Sequence, residues 1–150
     1  MVSLPDEKFL MKKMLIAGLV SLSTGAFSFS AHAQQGGWNT SLTGPSFQYK
    51  GMLASSPALL PPPGLGVTAA QSVTVIYWQY QLKSPAPIDL AVKLCAANRC
   101  INLDGASGQT YGLQGVPANS EFRMLFYVPG SGRMVASVDV ASNEISVNYK

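Results

Sequence analysis

Residues 93–105 read KLCAANRCINLDG and hold both cysteines of the 150-residue chain, Cys95 and Cys100. The flanks alternate. Upstream, PIDLAVKL (87–94) sets Ile88, Leu90, Val92 and Leu94 on one side and Asp89, Ala91 and Lys93 on the other, the period of a half-buried strand. Downstream, Ile101 and Leu103 bracket Asn102. With AANR (96–99) as a four-residue hairpin loop, Cys95 falls opposite Cys100. Leu94 then faces Ile101, Val92 faces Leu103 and Lys93 faces Asn102. A slip of one residue would set core residues against polar ones. Directly opposed ladder residues have the Cα separation that a disulfide needs. A structural metal site asks for about four ligands, and a redox pair of the C-x-x-C kind has two intervening residues. The expected state is a cross-strand disulfide between Cys95 and Cys100, which implies an oxidising compartment.

The N-terminus agrees with export. MKKMLIAGLVSLSTGAFSFSAHA (11–33) opens on Lys12 and Lys13, continues in an apolar run from Met14 to Phe27, and ends in Ala31-His32-Ala33 before Gln34. That is the layout of a secretory signal peptide cleaved between Ala33 and Gln34, and the run is short for a spanning helix. Met11 is the better start, and residues 1–10 are assigned no role. The expected organisation is a signal peptide over 1–33 and one domain over 34–150. In that domain seven Lys and Arg meet five Asp and Glu, all scattered, so no nucleic-acid footprint is expected.

The remaining sequence reads as β. SVTVIYWQYQL (72–82) is apolar on both faces, as a central strand is. EFRMLFYV (121–128), RMVASVDV (133–140) and NEISVNYK (143–150) alternate, with PGSG (129–132) and ASN (141–143) as tight connections. Weaker strands, GWNTSLT (37–43) and SFQYKGML (46–53), open the domain. The four prolines of SSPALLPPPGLG (55–66) exclude it from a sheet interior, so it is a surface loop or an extended crossing segment. The fold class is all-β: a single-domain sandwich of about seven to nine mostly antiparallel strands, with a barrel as the alternative.

The only histidine, His32, falls in the expected signal peptide. The mature chain would then have no Ser–His or Cys–His nucleophile pair and no His-containing metal site. Asp89, Asp104, Glu121, Asp139 and Glu144 form no acid/base spacing, and no phosphate-loop pattern is present. A non-enzyme without cofactor is expected.

LCAANRCINLDGASGQTYG (94–112), TVIYWQYQL (74–82), YVPGSGRMV (127–135) and the terminal EISVNYK (144–150) resemble the matching segments of the FlhE family of flagellar proteins. The resemblance runs from about Trp38 to Lys150 and is weakest in the Pro-rich loop. It implies a small periplasmic β-sandwich that serves the flagellar type III export system, by limiting proton leak or as a chaperone. The implied partners are export-gate or rod and basal-body proteins. The resemblance implies no catalytic residues. A monomer beside the membrane is expected.

Trp78, Tyr80, Phe122 and Phe126 share strand faces with aliphatics and are expected in the core. Trp38, Tyr49, Arg99 and Arg133 are the candidate partner contacts, Asp104 is a turn former, and the terminal strand could sit at a sheet edge. A carbohydrate- or peptidoglycan-binding module is the alternative function, and it requires aromatic side chains on the surface.

Overall fold

The computed structural model describes residues 35–150. The expected start at Met11, the signal segment and the Ala33–Gln34 cleavage site lie outside the described residues.

Nine strands follow in chain order: β1 (Gly36–Leu42), β2 (Ser46–Tyr49), β3 (Leu53–Ser55), β4 (Val73–Leu82), β5 (Ala91–Ala96), β6 (Arg99–Leu103), β7 (Ser107–Thr110), β8 (Arg123–Tyr127) and β9 (Arg133–Tyr149). They form two antiparallel sheets. One has the order β1-β9-β4-β7, with β2 also on β9, and the other has the order β3-β8-β5-β6. The facing sides supply the core, with Ile76, Leu94, Phe122, Phe126, Ile145 and Val147 fully buried. Aromatic edges join the layers: Tyr80 of β4 meets Phe126 of β8 at 5.4 Å, and Trp38 of β1 meets Phe122 at 5.8 Å, both in the T-shaped arrangement favoured by ring quadrupoles.

The β5–β6 register is the expected one, Leu94 on Ile101, Val92 on Leu103 and Cys95 on Cys100. The connection is tighter than expected. Ala96 pairs with Arg99, and Ala97 and Asn98 take φ of 49° and 65°, the two-residue turn whose twist suits a hairpin. The cysteines form a disulfide with Cα atoms 4.1 Å apart.

Five expectations change. SFQYKGML is strand only to Tyr49, and its last residue, Leu53, opens β3 of the other sheet. PIDLAVKL is strand only from Ala91. Pro87 and Leu90 close a turn (Leu90 N–H to the Pro87 carbonyl, 3.1 Å), and Ile88 is fully exposed rather than inward. Here proline geometry outweighs the alternation. ASN (141–143) is not a connection, because β9 runs through it as one strand. Gln81 pairs with Ser142 and Leu82 with Val140, which leaves Ala141 as the extra residue of a bulge. The bulge inverts the inward phase, from Val138 and Val140 to Ile145 and Val147, and buries Asn143. The terminal strand is central, between β1 and β4, rather than at an edge. Finally, SSPALLPPPGLG is only partly a surface loop. Its first residues run along β8, where Leu59 and Phe122 exchange backbone hydrogen bonds of 2.7 and 3.0 Å and Leu59 is buried.

PGSG is a turn as expected, with positive φ at Gly130 and Gly132, and it carries the chain from one sheet to the other. Opposite Trp78, Gly108 leaves room for the indole: a Cβ there would lie 2.6 Å from the ring.

Candidate functional site

Among the described residues, no group of three or more His, Cys, Asp and Glu converges on one point, and no helix is long and apolar enough to cross a membrane. Glu121 meets Arg123 at 3.6 Å on the surface. Asp139 accepts hydrogen bonds from Ser46 and Ser137, which hold its carboxyl below the usual range, with Lys83 adding to the effect. Burial pushes the Tyr80 phenol up.

The four candidate contacts separate. Trp38 is only 3% exposed, and its indole N–H donates to the Ala118 carbonyl at 3.0 Å, so it holds β1 on the core and offers nothing to a partner. Arg99 is exposed, but its guanidinium donates to the carbonyls of Gly112 (2.8 Å) and Gln114 (3.0 Å). It works as a strut between the hairpin tip and the segment after β7. Tyr49 and Arg133 are brought together as cross-strand neighbours of β2 and β9. Tyr49 is about half exposed, and Arg133 donates to Gln48 Oε1 at 2.9 Å. The disulfide lies on the outer side of the four-stranded sheet, beside a shallow apolar hollow shaped by Leu53, Leu125 and Tyr127. Trp78, Tyr80, Phe122 and Phe126 are buried, so none of them supplies a sugar-binding platform.

A groove next to Arg133 was not foreseen. It lies between the 85–89 segment and the N-terminal part of β9, has a volume of about 410 Å³, and is lined by Pro85, Pro87, Ile88, Val135, Ala136 and Ser137 among others. Lys50 and Arg133 place two cations on it, and Asp89 one carboxylate. Ile88 and Val135 are wholly exposed on its walls, at 102% and 106%. The sequence signal was the Pro-x-Pro at 85–87. It ends β4 while the strand that β4 pairs with continues.

The profile of the family described as "Flagellar protein FlhE" matches residues 44–150. Flagellar protein FlhE of Salmonella typhimurium is 40% identical over 119 residues, 79% of this chain and 88% of the relative. That of Yersinia enterocolitica is 33% identical over 140 residues, 93% and 97% of the two chains. A crystal structure described as that of FLHE superposes with a TM-score of 0.74 at 39% identity, covering 79% of this chain and 99% of the other. The sandwich, its stapled hairpin and the matched sequence together place this chain in the FlhE family of flagellar proteins.

Proposed function

We propose that the protein is a periplasmic accessory factor of flagellar assembly. It acts by binding proteins of the type III export apparatus or the rod, and so limits proton leak through the export gate or chaperones exported subunits. The observation that carries the reading is membership of the flagellar family across residues 44–150. Two features support the compartment: the N-terminal segment has the layout of an export signal, and the Cys95–Cys100 disulfide suits an oxidising environment. A groove with bare aliphatic walls and a charged rim supports protein binding.

The experiment is deletion of the gene in a flagellated host, with cytoplasmic pH followed after an external acid pulse and secreted rod and hook protein measured in parallel. Deletion is expected to speed acidification or to alter secretion, with rescue by the exported protein and none by a form lacking residues 1–33. Unchanged pH and secretion, or equal rescue by the form kept in the cytosol, would overturn the reading.

A further inference from the structure

We propose that the outer face of the four-stranded sheet docks an amphipathic helix of a partner protein, apolar along one stripe and acidic beside it. The proposal rests on the reading that this protein works by binding protein, and it names the surface and the chemistry of the bound segment.

The outward positions of a solvated antiparallel sheet are ordinarily polar. The five-stranded sheet follows that rule. Its register sets Ser41, Glu144, Gln79 and Ser107 in one outward row, and Asn39, Ser146, Tyr77 and Gln109 in the next. The four-stranded sheet departs from it. One outward row is Leu53, Tyr127 and Ala91; the next is Ser55, Leu125, Lys93 and Asn102; Arg123 and the Cys95–Cys100 disulfide follow. Leu53 is 60% exposed. Leu53, Ala91, Cys100, Leu125 and Tyr127 line a shallow hollow of about 370 Å³, with Lys93 at its side. A bare apolar patch of this kind marks an interaction site.

Three features select the occupant. β8 and β5 are interior strands, each paired on both sides, so the face has no spare backbone hydrogen bonds to offer. A segment lying on it must satisfy its own, as a helix does. The four strands span roughly 14 Å at the usual interstrand spacing, which seats one helix about 10 Å wide. The available charge is positive. Arg123 is held by Glu121 at 3.6 Å and by the Ser56 carbonyl at 3.3 Å, whereas Lys93 has no ion pair among the described residues. An ammonium beside bare leucines selects a carboxylate set next to an apolar stripe. A second copy does not fit: the described residues include no helix, and the matching face of a copy is likewise cationic. A small amphiphile would stay largely in water in so shallow a hollow.

The test is methyl and amide NMR on the purified protein. The probes are two capped alanine-based peptides of about 18 residues, long enough to be helical alone, with leucine at i, i+3, i+4 and i+7. One carries glutamate beside the leucine stripe, the other lysine. The glutamate peptide is expected to shift the methyl signals of Leu53, Ala91 and Leu125 and to leave the Tyr77 and Ser146 amides of the other sheet unmoved. It should bind at least about threefold more tightly than the lysine peptide. Lys93→Glu is expected to reverse that preference, and Leu53→Asp to weaken both peptides at least about fivefold. Both side chains are exposed and carry no core load. If either variant unfolds, salt decides on the unaltered protein: the advantage of the glutamate peptide should disappear toward about 1 M sodium chloride, and its persistence would overturn the proposal. So would no shift at about 1 mM peptide, shifts centred on the other sheet, a preference that Lys93→Glu leaves unchanged, undiminished binding to Leu53→Asp, or retention on phosphatidylglycerol vesicles with neither peptide bound. A failed peptide test leaves the deletion experiment untouched. A null deletion phenotype with the helix bound here would sink the flagellar reading and spare the site.

Discussion

The two halves of β9 are one strand with opposite surroundings. From Asn143 to Tyr149 the strand is clasped by β1 on one side and β4 on the other, and Ile145 and Val147 are fully buried. From Arg133 to Val138 only β2 among the described strands accompanies it, and loosely: Phe47 pairs with Val138 and Tyr49 with Arg133, so β9 has extra residues across the gap. Val135 stands wholly in solvent there. The half with two neighbours holds the fold together. The half with one neighbour carries exposed side chains on an irregular register. Ala141, the bulge residue, marks the border between them.

The sharpest way to break this contrast is to empty the clasped half. Ile145→Ala should cost about 2–5 kcal/mol, because neighbours held by two ladders relax poorly into the cavity; urea unfolding followed by tryptophan fluorescence measures it. Next comes the staple, which lies in the other sheet. Replacing both Cys95 and Cys100 by Ser should lower stability by about 2 kcal/mol through the short loop it closes. The hairpin register should survive, as read from cross-strand NOEs between Leu94 and Ile101. In the open half, Val135→Lys should change stability by no more than about 0.5 kcal/mol, since the side chain packs on nothing. A loss as large as that from Ile145→Ala would erase the distinction.

The smallest expected effect is a pH dependence at the border. Hydrogen bonds from Ser46 and Ser137 depress the Asp139 pKa in the folded state. A depressed acid contributes stability that is present above its unfolded pKa and lost as pH falls through the folded one. Asp139→Asn should therefore flatten the acid limb of the stability curve by slightly lowering stability above the ordinary aspartate range, and leave stability at the lowest pH nearly unchanged. Denaturant midpoints between pH 2 and 7 would check it.

How much of this was legible depended on how local the information was. The β5–β6 pairing could be read to the residue, because register, alternation and the cysteine pair all lie within one short stretch and agree. β6 is the only strand bonded to its immediate predecessor among the described residues. Elsewhere partners lie far apart in sequence. Trp38 looked like a contact residue because nothing near it announces Phe122 or Ala118, some 80 residues on. Ala141-Ser142-Asn143 looked like a turn because small polar residues favour turns, and the alternation changes phase there. A bulge produces the same change of phase. Asn143 is the trace it leaves in the packing: the residue is buried, with its Nδ2 donating weakly to the Leu42 carbonyl at 3.4 Å and its Oδ1 without a protein partner. The groove was out of reach for the same reason, since it needs the end of β4 and the start of β9 in one place.

The placement of β9 also governs timing. It is the last of the nine strands in chain order and the central member of its sheet. A chain delivered from its N-terminus, by a ribosome or through a translocation pore, reaches residue 132 with β1 and β2 lacking any ladder partner and β4 holding only β7. Non-local pairing of this kind is slow because loop closure precedes its reward. The four-stranded sheet has all its strands by Tyr127, but the five-stranded one can close only when β9 arrives to join β1, β2 and β4.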